Sequence, residues 1–101
     1  MTKELPGITK KIKLGCGEFG ITMNSENGEL VETFLRLGKS GSCTSCLLEG
    51  ISRLIGLCLR ASMPIEDITN ELTGAACGNG VWIDGDYLKS CLDCLGKELT
   101  K

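Results

Sequence analysis

The stretch FGITMNSENGELVETFLRL, residues 19–37, decides the fold. Phe19, Ile21 and Met23 alternate with Gly20, Thr22 and Asn24, the period of a strand with one buried face. Val31, Thr33, Leu35 and Leu37 alternate in the same way with Glu32, Phe34 and Arg36. Between the two runs lies Ser25-Glu26-Asn27-Gly28, and Asn-Gly is the pair that best accepts the left-handed backbone of a tight hairpin. The stretch predicts two antiparallel strands. Upstream, Ile12 and Leu14 alternate within Lys11–Leu14 and predict a further short strand, broken by Gly15-Cys16-Gly17. Gly15-x-Gly17-x-x-Gly20 matches the dinucleotide fingerprint as a string. That mechanism needs a helix straight after the last glycine, and here a strand follows, so the glycines are read as a flexible turn.

Downstream the period changes. After the breaker Gly38-Lys39-Ser40-Gly41, Ser40 or Ser42 can cap a helix that starts near Cys43 and runs to about Ala61. Leu47, Ile51, Leu54, Ile55 and Cys58 fall at helical spacing, with Glu49 and Arg53 paired four apart outside. Pro64 suits the first position of a second helix, Glu66 and Asp67 favour its positive end, and Gly74 closes it. Ile65, Ile68 and Leu72 are its apolar stripe. Ala75–Gly85 reads as a glycine-rich loop holding Cys77 and Trp82, followed by a last helix over roughly Lys89–Leu99, capped by Asp86 or Ser90, with Leu92, Leu95 and Leu99 inward. Strands first and helices after them argue for an α+β fold: a small antiparallel sheet from the N-terminal half, packed against a long central helix and two shorter ones. The 101 residues fit one domain, with its core at about 12–99.

Composition narrows the chemistry. Aromatic residues are only 4% of the chain, so the core must be aliphatic with some Cys and Met. A net charge of −2, with basic residues thinly spread at the two ends, gives no field for nucleic acid. No stretch approaches the ~18 apolar residues of a membrane span, and Met1–Gly7 has no apolar run that would make a signal peptide. The expected compartment is the cytoplasm, where structural disulfides are rare. Seven cysteines in such a setting point to metal binding, redox work or core filling. There is no histidine. Imidazole-based hydrolysis and the usual catalytic zinc sites are thereby excluded.

Two C-x-x-C pairs stand out, Cys43/Cys46 and Cys91/Cys94, each at a predicted helix start where the helix N-terminus favours a thiolate. Residues 47–90 separate them, far more than the about 15–20 of a zinc ribbon. Cys46, Cys58 and Cys94 fall within helical patterns and read as core. Cys16 and Cys77 sit beside glycines in breaker segments, where the backbone can wrap around sulfur. Joined with the two helix-start cysteines they give Cys16, Cys43, Cys77 and Cys91. Four thiolates suit tetrahedral zinc, with iron or an iron–sulfur cluster as the alternative. Cys46 and Cys94 rank behind them as ligands.

Several of these residues also form an ordered set of motifs: Cys16-Gly17 before a strand; Gly38-Lys39-x-Gly41-x-Cys43 before a long helix; Ile51-Ser52-Arg53-Leu54-Ile55 and Leu59-Arg60 inside it; Leu72-Thr73-Gly74-x-x-Cys77; and Lys89-Ser90-Cys91-x-Asp93. Together they resemble the TSCPD domain over about Ile12 to Leu99. That family occurs mainly at the C-terminus of bacterial and archaeal ribonucleotide reductases, especially the adenosylcobalamin-dependent class, and as small free-standing proteins. The resemblance implies a metal-binding role for Cys16, Cys43, Cys77 and Cys91, and small apolar residues at the positions of Cys46 and Cys94. The sequence departs from the naming motif at Leu92, where the family has proline. The reductase barrel, its radical thiol and its cobalamin site belong to a far longer chain, and adenosylcobalamin is not expected here. The implied role is an accessory or interaction module, with a ribonucleotide reductase subunit as its expected partner. A thiol redox module built on Cys43/Cys46 is the alternative. A further one is membership of the ribonucleoside-diphosphate reductases by family alone, without turnover by this chain.

Overall fold

In a computed structural model, residues 5–38 and 43–100 are described. Three strands, β1 (Gly7–Leu14), β2 (Gly17–Glu26) and β3 (Glu29–Leu37), form an antiparallel sheet in the order β1-β2-β3. The helices are α1 (Cys43–Arg60), α2 (Ile65–Leu72) and α3 (Cys91–Leu99), and a second sheet pairs β4 (Val81–Ile83) with β5 (Asp86–Leu88). The molecule is α+β, as the order of patterns predicts. None of its described helices is long and apolar enough to cross a membrane.

The β2–β3 hairpin forms where the alternation places it. Glu26 pairs with Glu29 across the turn, and both central residues are left-handed, Asn27 at φ 55° and Gly28 at φ 80°. Such a pair makes a type I′ turn, whose twist matches that of the flanking strands. A one-residue register shift follows: Asn24 faces Glu32 and Ser25 faces Leu30, leaving Val31 as the extra residue of a bulge. Phe19, Ile21, Leu35 and Leu37 share the inner face with Ile12 and Leu14 of β1. Strand β1 is longer than expected and reaches back to Gly7, because backbone pairing with β2 continues through Lys10, Thr9 and Ile8 after the apolar alternation fades. Lys10 points inward at this end, and its Nζ meets the largely buried Glu98 of α3 at 2.8 Å.

The long helix starts and stops close to where its period places it, while its docked face differs from the expected one. Leu48, Ser52, Ile55 and Gly56 are buried, whereas Leu47 and Leu54 are 68% and 63% exposed. The helix carries two apolar arcs side by side, and the sheet takes the one centred on Leu48, Ser52 and Ile55. The outer arc borders a groove of about 350 Å³ between α1 and α2, lined by Ile51, Leu54, Cys58, Met63, Ile68 and Leu72. Glu49 and Arg53 form the expected exposed pair at 2.7 Å. The anticipated caps Ser40 and Ser42 lie outside the described residues. Pro64 precedes the first turn of α2 as its N-cap instead of occupying the first helical position; its carbonyl accepts from Asp67 N–H at 3.1 Å.

The loop reading of Ala75–Gly85 holds only for its first part. Val81–Ile83 pairs with Asp86–Leu88 around Asp84 and Gly85, both at positive φ. Trp82 faces Tyr87 across this hairpin, ring centroids 5.2 Å apart. The two strands also take residues expected before the last helix, which starts at Cys91 with Ser90 as N-cap. Phe19, Ile21 and Leu95 are fully enclosed at the centre of the core. Phe19→Ala is expected to cost about 3–5 kcal/mol, the usual loss for emptying a buried aromatic site. Urea unfolding followed by far-ultraviolet circular dichroism measures it.

Candidate metal centre

Two loops and one helix start converge on the sulfur cluster. Cys16 sits in the two-residue turn between β1 and β2, and Cys77 lies in the segment between α2 and β4. The turn and the segment are packed backbone to backbone. A Cβ at Gly15 would run into the carbonyl oxygen of Asn79, so only glycine lets the turn come this close. The result is a 3.3 Å approach between the Cys16 and Cys77 sulfurs, 61 residues apart in the chain.

The Cys77 segment is held from below by the start of α3. Asp93 is 1% exposed, and its two carboxylate oxygens accept from Gly74 N–H at 2.8 Å and Lys89 N–H at 2.9 Å. Lys97 Nζ lies 3.2 Å from the second oxygen and also donates to Tyr87 O at 3.0 Å. Ser90 Oγ accepts from Asp93 N–H at 3.1 Å, closing the first turn of α3, and donates to Ala75 O at 2.6 Å. Cys77 N–H then donates to Lys89 O at 3.3 Å. The links of Gly74 to Asp93, Ala75 to Ser90 and Cys77 to Lys89 tie 74–77 to 89–93, and Cys91 lies in the middle of that second stretch. The absent proline at Leu92 leaves the helix start intact, because the Ser90 side chain supplies the cap.

The three sulfurs feel one another. Cys77 ionises first: the Asn79 backbone N–H, and then the Cys16 S–H, stabilise its thiolate and pull it below the ordinary 9.0. Cys16 is pushed above that value, chiefly because its proton is held by Cys77, then by burial and by the charge at Cys77; a hydrogen bond from the Asn79 side chain opposes this. Burial, and then the Cys77 charge, push Cys91 up. Of the three, Cys77 is therefore the thiol that gives up its proton most readily, and Cys16 and Cys91 hold theirs longer.

The remaining cysteines are distributed differently. Cys43 and Cys46 are both exposed in the first turn of α1, so Cys46 is not the core residue its helical pattern suggested. Cys94 is 1% exposed and Cys58 half-buried, both within the aliphatic core. Of the four expected ligands, Cys16 and Cys77 are in contact and Cys91 is within electrostatic reach. Cys43 adjoins residues 39–42, outside the described part. Among the described residues, no group of three or more Cys, Asp or Glu is arranged to hold a metal ion as it stands. The pair stands closer than a zinc ion would hold it, and its sulfurs would part by about half an ångström to take one. Two thiolates on a tetrahedral zinc, each about 2.3 Å from it, lie about 3.8 Å apart; the observed separation is 3.3 Å. Asn79 and Asp93, which organise the cluster, were not singled out as site residues from the sequence. The signals were the Gly78-Asn79-Gly80 run and an acid three residues after the Ser90 cap.

A family model, the TSCPD domain, matches residues 1–101. Neither a curated protein nor a solved structure shows a significant match.

Alkylation mapped by mass spectrometry at stepped pH is expected to modify Cys77 below pH 9.0, ahead of Cys16 and Cys91. Asp93 gives a second pH signature. Its burial disfavours the charge, but the Lys89 and Gly74 N–H groups and Lys97 outweigh that and hold its carboxyl below the ordinary 3.8. A carboxyl depressed on folding stabilises the protein fully above its unfolded value, and the gain fades as pH falls through the folded one. Asp93→Ala is expected to cost roughly 3–5 kcal/mol at neutral pH, since two N–H groups lose a charged acceptor. It should also flatten the loss of stability below pH 3.8. Denaturant titrations at pH 7 and pH 3 check both.

Proposed function

The chain belongs to the TSCPD domain family, and on that premise we propose that it is a thiolate metal-binding accessory module built on Cys16, Cys77 and Cys91, with Cys43 as the fourth donor. The 3.3 Å approach of the Cys16 and Cys77 sulfurs carries the reading. Two soft donors are brought together from distant loops by packed backbone. Cys91 is within electrostatic reach of them, on a helix start fixed by Ser90 and Asp93. A bound zinc ion would act as a cross-link and would favour the thiolate form of all the sulfurs it holds. Iron, alone or as an iron–sulfur cluster, accepts the same all-sulfur set.

The protein's own residues then have definable tasks. Gly15 sets the closeness of the two loops. Asn79 directs its backbone N–H at Cys77 and its side chain at Cys16, the kind of support that orients metal ligands. Asp93 keeps the Cys77 segment against Cys91. Docking to a ribonucleotide reductase subunit is the role proposed for such a cross-linked module; no substrate chemistry is assigned to this chain.

Protein purified without oxygen is expected to carry about one zinc or iron per chain by elemental analysis. Cys77→Ser and Cys91→Ser should each abolish stoichiometric binding, while Cys46→Ser should retain it. Wild-type protein that stays metal-free after incubation with excess zinc or ferrous iron overturns the reading.

A further inference from the structure

We propose that Cys16 and Cys77 also form a reversible intramolecular disulfide, made and broken by exchange with a small-molecule disulfide of the glutathione type. The inference stands on geometry that does not depend on a metal. Both residues are exposed, so an external disulfide can reach either sulfur. Their sulfurs are 3.3 Å apart, and a disulfide needs about 2.05 Å. Closing that gap takes a movement of roughly an ångström, which two short glycine-flanked loops can supply. The contact joins these two sulfurs: Cys91 is half-buried and within electrostatic reach, Cys94 is buried, and Cys43 and Cys46 belong to another element.

The exchange balances as follows. The thiolate of one cysteine attacks a sulfur of glutathione disulfide. The S–S bond of the reagent breaks, a protein–glutathione bond forms, and one glutathione thiolate leaves. The second cysteine gives its proton to water and attacks the modified protein sulfur, expelling the other glutathione. Two protein thiols have lost two electrons, and the reagent disulfide has gained them as two thiols. Glutathione runs the same steps backwards.

The product joins the β1–β2 turn to the segment between α2 and β4. It also consumes two of the donors named under the metal reading, so disulfide and metal exclude each other wherever that reading holds. Oxidation would then release the ion, and reduction would restore the site.

Trypsin separates the thiols cleanly. Cys16 falls in the peptide 14–36 and Cys77 in 61–89, each alone, whereas Cys43/Cys46 and Cys91/Cys94 fall in two others. Chelator-stripped protein is equilibrated in buffers of increasing glutathione disulfide, quenched in acid, alkylated and mapped. The expected product is the linked pair 14–36/61–89, lost on adding excess glutathione. In Cys16→Ser or Cys77→Ser protein with an unchanged circular dichroism spectrum, the remaining cysteine should carry glutathione instead. Cys91→Ser should form the link to within twofold of wild type. Separate glutathione adducts on both cysteines of the wild type, or a link from either one to Cys91 or Cys43, overturn the proposal. Zinc added first distinguishes the two readings. A link that forms regardless of zinc keeps the redox pair and removes the metal, and protein that binds zinc yet never links keeps the metal and removes the redox pair.

Discussion

The buried carboxylate of Asp93 is the constraint on which the C-terminal half depends. A charge removed from water is costly unless it is paired and hydrogen-bonded, and this one gathers two backbone N–H groups and an ammonium. Those partners lie on both sides of the β4–β5 hairpin, at Gly74 and at Lys89. The carboxylate therefore fixes the path of the chain into and out of the hairpin and sets Cys77 over the start of α3. Ser90 works in parallel, capping the helix with the same oxygen that donates to Ala75. In a chain with few aromatic residues, a polar clasp of this kind specifies one arrangement where aliphatic packing tolerates several.

Much of the fold was legible because long segments repeat their period. β2 and β3 alternate over enough residues to define an inner face, and Asn27-Gly28 marks the turn between them. The β4–β5 hairpin was not legible by period, since strands of three residues barely alternate. Its trace was Asp84-Gly85 between apolar flanks, the same turn chemistry as Asn27-Gly28. For α1 the period identified the helix but could not choose between two neighbouring apolar arcs. That choice is made by tertiary packing: Leu48, Ser52, Ile55 and Gly56 form the buried arc, and Leu47 and Leu54 are left outside it.

The cysteines divide along the same line. Glycine neighbours singled out Cys16 and Cys77, and the structure gives the reason: their backbones must touch other backbone. Nothing in spacing could show that the two touch each other, because that depends on Gly15 meeting Asn79 across the fold. Cys46 shows the reverse. Its place in a helical run suggested burial, but it lies outside the buried arc of α1 and is exposed. Asp93, on a helix first turn, looks from sequence like an ordinary partner for the helix dipole; its enclosure is a tertiary fact.

Trp82 is the chain's single tryptophan, 70% exposed and tilted against Tyr87 on the β4–β5 hairpin a few residues beyond Cys77. Its position gives the protein an inbuilt optical reporter. Indole emission will come from a hydrated ring and will follow the hairpin and the sulfur-bearing segment leading into it, while changes confined to the aliphatic interior around Phe19 leave it nearly silent. Light absorbed by Tyr87 is passed to the indole most efficiently while the hairpin holds the two rings 5.2 Å apart, so the tyrosine-sensitised part of the signal weakens as that one turn opens.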